Sequence, residues 1–188
     1  MKKTLLILLT LSIFLWVGFI FYFSSQSPVN SEKQATNFYR FLQKLDETLD
    51  FTKTNLYVRL RSFLEKAWFP NKVPKTSDLV RKTAHFGLYF VLGIACFFFG
   101  LLYNKKILSA IAYGIGLPTI IAVFDEYNQK FYHRGSSLDD VIIDMTGAAF
   151  GVLLSLIVYS IFVIIKSVKL RKRRLEVSTN EDDLSSFR

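Results

Sequence analysis

Four stretches of this chain are too long, too apolar and too free of charge for a water-soluble globule to bury: residues 4–23, 84–103, 107–124 and 141–165. A hydrocarbon core of about 30 Å takes roughly 20 helical residues to cross. Within it only helices or closed barrels satisfy every backbone polar group. The blocks are continuous rather than alternating, which selects helices. The expected fold class is all-α: a polytopic membrane protein with a four-transmembrane-helix bundle in residues 1–165. A basic and then acidic tail, expected to be disordered, follows over 166–188. The length of 188 residues fits one such domain, and Pro118, with Gly114 and Gly116 shortly before it, predicts a kink in the third span.

Orientation follows from Lys and Arg in the short flanks. Lys2 and Lys3 precede the first span, Lys105 and Lys106 fill the second-to-third connection, and Lys166, Lys169, Arg171, Lys172, Arg173 and Arg174 follow the fourth. Placing all of them inside gives a multi-pass protein of the cell membrane with both termini cytoplasmic. The first block is too long for a signal-peptide core and carries bulky Phe14, Trp16, Phe19, Phe21 and Phe23, so it is expected to stay as an anchor. The net charge of +9 is clustered beside apolar blocks, which points to anionic lipid and away from nucleic acid. Cys96 is the only cysteine, which excludes a disulfide framework and any multi-cysteine metal site.

Residues 24–80 form the outer segment under this topology. Ser31 and Gln34 have the spacing of a capping box. Phe38, Phe41, Leu42, Leu45 and Leu49 then recur at helical spacing, and Leu56, Leu60, Phe63, Leu64 and Ala67 repeat the pattern before Pro70 and Pro74. Two amphipathic interfacial helices are expected, lying on the outer leaflet.

The polar residues that do not serve solvation all fall near the outer ends of the spans. Ser24, Ser25 and Gln26 close the first, while Arg81, Lys82 and His85 open the second. Asp125, Glu126 and Gln129 end the third, Arg134 follows, and Asp140 and Asp144 open the fourth. Helical spacing puts Arg81 and His85 on one face, with Tyr89 a turn deeper, and likewise pairs Asp125 with Gln129 and Asp140 with Asp144. Gly147 and Gly151 continue the Asp140/Asp144 stripe and allow another helix to approach closely. Asp144 lies inside its span, where an uncompensated carboxylate costs about 2.5 kcal/mol or more, so a cationic partner is required. A metal is not expected, because no tight signature such as H-E-x-x-H occurs and Arg81, Lys82 and Arg134 would repel a cation. No other cofactor is implied.

These same residues carry a resemblance to the VanZ-like membrane proteins, a family named for a factor associated with teicoplanin resistance. The shared pieces read F-S-S-Q at Phe23–Gln26, R-K-x-A-H-F at Arg81–Phe86 with Tyr89 following, D-E-x-x-Q-x-F at Asp125–Phe131, and R-x5-D-x3-D-x2-G-x3-G from Arg134 to Gly151. Two positions depart from the family pattern: Leu88 stands where a Glu is common, and Tyr132-His133 where Pro-Gly is common. The resemblance implies a four-helix envelope protein, linked in some members to glycopeptide resistance. It implies no settled reaction.

The cluster leads to two main functional expectations. In the first, it acts on an anionic lipid-linked or cell-envelope substrate. Arg81, Lys82 and Arg134 hold the head group, with Tyr89, Gln129, Ser25 and Gln26 as further contacts, while His85, Asp125, Glu126, Asp140 and Asp144 provide acid–base chemistry. In the second, the same residues bind and shield a cell-wall precursor or a glycopeptide without catalysis. A small transporter is disfavoured, since no polar path continues inward past Tyr89 and Asp144. Membrane lipids are the expected partners in either case.

Overall fold

A computed structural model describes residues 2–70, 73–132 and 137–186. Every regular element in it is helical: α1 (Lys2–Ser24), α2 (Pro28–Leu49), a short 3-10 turn (Phe51–Lys53), α3 (Asn55–Trp68), α4 (Thr76–Asn104), α5 (Ile107–Gln129), a second 3-10 turn (Lys130–Tyr132) and α6 (Leu138–Ser186). Four of these, α1, α4, α5 continued through Tyr132, and α6 as far as Arg171, contain stretches long and apolar enough to cross a membrane. The expected fold class holds.

The helices overrun the apolar blocks at one end. Hydropathy marks only the thickness of hydrocarbon to be crossed, whereas a helix ends where its caps allow. Thus α4 starts at Thr76, just after Pro74, with Asp78 in its first turn against the positive end of the helix dipole. This start places Arg81, Lys82 and His85 well inside the helix, and α5 likewise continues past residue 124 to Gln129. The α4–α5 connection is as tight as the sequence requires: Lys105 takes a left-handed conformation (φ 54°) and its N–H donates to the Leu101 carbonyl at 2.9 Å. Helix α5 runs unbroken through the buried Pro118.

In the outer segment the first helix begins one turn earlier than the Ser31/Gln34 capping box implied. Ser27 is the N-cap, its Oγ accepting from the Asn30 N–H at 3.3 Å, and Pro28 follows in the first helical turn. A proline at that position loses no hydrogen bond, so the Ser27-Pro28 pair outcompetes the later serine. Helices α2 and α3 keep most of their apolar side chains exposed, including Phe38, Phe41, Leu56 and Phe63. The protein's own core does not consume these faces.

The chain divides at Val152 into two units. In the first, α1, α4, α5 and the opening turns of α6 contribute Ile20, Tyr89, Leu92, Cys96, Ala122 and Val141 to a buried core. The Trp16 indole N–H donates to the Leu88 carbonyl at 3.0 Å and fastens α1 to α4. The second unit, from Leu153 onward, is the rest of α6, a helix with exposed Ile157, Phe162 and Ile165. Helix persists to Ser186 where the sequence led to a disordered tail after 165. The intervening residues are rich in Lys, Arg, Leu and Glu and lack Gly and Pro, so nothing in them breaks a helix once started.

Candidate functional site

Helix-on-helix contact determines where the carboxylates of α6 point. A Cβ at Gly147 would run into the Phe86 carbonyl oxygen, and one at Gly151 into that of Phe90. Only glycine lets α6 lie this close to the α4 backbone. Asp140 and Asp144 belong to the same stripe two turns and one turn earlier, so the packing aims them at the Arg81–His85 turn of α4. The Phe86 ring, 5.9 Å from Phe150 and 6.1 Å from Trp68, adds aromatic contacts beside this seam.

A narrow cleft results, lined by Arg81, Lys82, His85, Glu126, Gln129, Asp140, Ile143 and Asp144. Three spans that are distant in sequence therefore meet at one end of the helices. Lys82 Nζ lies 2.9 Å from Asp140 Oδ1, and also 4.7 Å from the centroid of the Phe69 ring. His85 Nδ1 sits between two carboxylates, 3.7 Å from Asp144 Oδ2 and 3.9 Å from Asp125 Oδ2. Glu126 accepts from Gln129 Nε2 at 2.9 Å and from the Ser137 backbone N–H at 3.0 Å. These bonds fix its side chain at the cleft wall and tie the start of α6 to α5.

The sequence-derived set divides accordingly. Arg81, Lys82, His85, Glu126, Gln129, Asp140 and Asp144 line the cleft. Asp125, fully buried, stands behind His85. Tyr89 is buried beneath them, in electrostatic reach of Asp125 and Asp144, with its ring in the core. Ser25 and Gln26 are not among the cleft residues: the Ser25 hydroxyl accepts from Asn128 Nδ2 at 3.1 Å, joining α1 to α5, and Gln26 Nε2 donates to the Tyr22 carbonyl. Arg134 and the neighbouring His133 lie outside the described residues. The partner of Asp140 is Lys82, while His85 is shared by Asp125 and Asp144. The i, i+4 rule places Asp140 and Asp144 on one face but leaves open which cation each meets. The Ser137 N–H is a participant that side-chain reasoning missed, and a turn just before a helix was its only signal.

An apolar groove of about 470 Å³ adjoins the site, lined in part by Trp16, Phe19, Phe23, Phe38, Leu88 and Val91. Arg81 and His85 line both this groove and the cleft. The sequence model of the family described as VanZ/LLP1 matches residues 9–162, a range that includes every one of these residues. No curated protein and no solved structure matches the chain.

Proposed function

This chain belongs to the VanZ/LLP1 family, and from that premise we propose that its cleft takes the anionic head group of an amphiphilic envelope molecule at the outer face of the cell membrane. The observation that carries this reading is the sharing of Arg81 and His85 between a polar cleft and a long apolar groove. A lipid-linked phosphate or carboxylate has the same division between a charged head and a hydrocarbon chain. Arg81 supplies the planar donor set suited to such a head group. Lys82, already paired with Asp140, closes one side. Glu126 and His85 stand where a proton would be passed, and Arg134 remains a further proposed anion contact. The outward orientation rests on the Lys and Arg of the opposite loop and of both termini.

Capture without chemistry is the second reading, and it needs only the cationic residues and the groove. Glycopeptide tolerance follows from either version if the bound molecule is a cell-wall precursor or the drug itself. The test uses the full chain purified in detergent with a radiolabelled polyprenyl-pyrophosphate-linked precursor, and with phosphatidylglycerol as a competing lipid. Catalysis gives product beyond one equivalent of protein, whereas capture gives at most one bound equivalent. His85→Ala and Asp140→Ala are expected to remove the activity while membrane insertion stays intact. Wild-type behaviour in both variants would remove the cleft from consideration.

A further inference from the structure

A second apolar groove, of about 390 Å³, lies on the far side of the first, lined in part by Phe38 and Leu42 of α2, Leu60 and Leu64 of α3, and Leu79 and Val80 of α4. The two grooves share Phe38, Val80 and Ala84. Each falls within the range of about 300–1,000 Å³ found for ordinary ligand sites. Helical geometry sets their order around α4. At 3.6 residues per turn, Val80 and Ala84 form a ridge with Leu79 and Thr83 on one side and Arg81 and Leu88 on the other. The second groove takes the Leu79 side and the first takes the Arg81 side. The polar cleft follows further round, at Lys82 and His85.

The grooves also diverge in depth. Along α4 the first runs from Val80 to Val91, about 16 Å of helix leading into the span. The second runs back from Ala84 to Thr76, about 12 Å toward the start of the helix, between α2 and α3. Their common level is Val80–Ala84, the turn that carries Arg81. A single chain leaving a head group at Arg81 fills the deep groove alone, and it would have to double back along α4 to enter the second. A head group that carries two chains fills both grooves from one branch point.

We propose that the ligand is a two-chain anionic lipid of the glycerophospholipid kind. Its phosphate lies beside Arg81, one acyl chain occupies the groove against Trp16, Phe19 and Phe23 of α1, and the other occupies the groove between α2, α3 and α4. The second chain covers apolar surface that the protein leaves open, since Phe38 and Leu60 line its groove and are exposed in the protein alone. Removing such surface from water is favourable in proportion to its area. Helices α2 and α3 thus form the wall that separates a two-chain ligand from a one-chain ligand. The inference rests on the lipid reading of the cleft and narrows it from amphiphiles in general to a branched class.

The test measures binding of tritiated phosphatidylglycerol to the full chain in detergent, with unlabelled phosphatidylglycerol, its single-chain lyso form and a polyprenyl phosphate as competitors. The two-chain lipid is expected to bind about tenfold tighter than the lyso form, because it buries a second chain. Leu79 lines the second groove but neither the first groove nor the cleft. Leu79→Trp should therefore bring the two-chain lipid down to the affinity of the lyso form and leave the lyso form unchanged. Leu64→Trp, which fills the same groove from α3, should do the same and decides the matter if Leu79→Trp does not purify. Arg81→Ala should weaken both lipids alike. Saturable, Arg81-dependent binding in which the lyso form competes as well as the two-chain lipid, or in which neither tryptophan variant changes anything, overturns the two-chain assignment and leaves the lipid reading in place. A polyprenyl phosphate that binds tighter than phosphatidylglycerol and loses that advantage in the tryptophan variants also overturns it, since one long chain would then fill both grooves. Absence of saturable, Arg81-dependent binding by any of these lipids overturns both.

Discussion

Alanine at Gly147 measures directly how closely α6 lies on α4. The added Cβ would meet the Phe86 carbonyl oxygen and sit 3.1 Å from its carbon and 3.2 Å from its Cα. Carbon atoms rest about 3.5–4.0 Å apart at their optimum, so the two helices must separate by about half an ångström or more. Both surfaces are helix backbone, and no side-chain rotation relieves the overlap. Overpacking of this kind costs about 1–3 kcal/mol. A Gly→Ala change inside a helix also gains about 1 kcal/mol of helix propensity, which has to be subtracted. The chain supplies its own controls: at Gly87 and Gly116 an added Cβ meets nothing within 4 Å, so these variants collect the propensity gain alone. Relative to them, Gly147→Ala is expected to melt lower by about 2–4 °C for each kcal/mol lost, measured by thermal unfolding in detergent. Gly151→Ala should behave alike, because its Cβ meets the carbonyl of Phe90 on the same helix. The double variant should lose less than the sum, since one separation of the helices relieves both overlaps. Gly147→Ala melting with the controls, or strict additivity of the pair, would refute the close-packed seam.

The Lys82–Asp140 pair, 2.9 Å long with side chains 13% and 20% exposed, should show a coupling of about 1–2 kcal/mol in a double-mutant cycle with Lys82→Met and Asp140→Asn; additive losses would mean that the two residues do not support each other. Trp16→Phe removes the 3.0 Å bond to the Leu88 carbonyl and is expected to cost about 0.5–1.5 kcal/mol, read as a lower melting temperature; an unchanged melting temperature would mean that this bond does not fasten α1 to α4. For orientation, Asn104→Cys and Lys130→Cys place thiols at opposite ends of α5 and its neighbour while Cys96 stays buried. A membrane-impermeant maleimide should label position 130 on intact cells and position 104 only after permeabilisation, and the reverse pattern would invert the topology.

Much of the site was legible because two simple periodicities carried it. The spacing of Arg81 and His85, and of Asp140, Asp144, Gly147 and Gly151, needs only 3.6 residues per turn to define faces. The glycine stripe then indicates which face of α6 is buried. The identity of each ion pair was not legible. Asp140 and Asp144 are equivalent by spacing, and their different partners depend on the lateral offset between α4 and α6. That Ser25 and Gln26 lie off the cleft lining was illegible for the same kind of reason, since residues at a common depth can still lie on opposite sides of a helix.

By itself the sequence determined that this chain crosses a membrane as helices, how many spans it has and at which ends their polar residues gather. Hydrocarbon admits no unsatisfied backbone and few lone charges, so those features are written into the residue types. Only the tertiary structure decided that Lys82 goes to Asp140, leaving His85 between two buried carboxylates, and that the polar cleft opens onto an apolar groove. Those outcomes depend on rotations and offsets between helices of about an ångström, set by backbone contact at Gly147 and Gly151, and no pattern along a single helix encodes them.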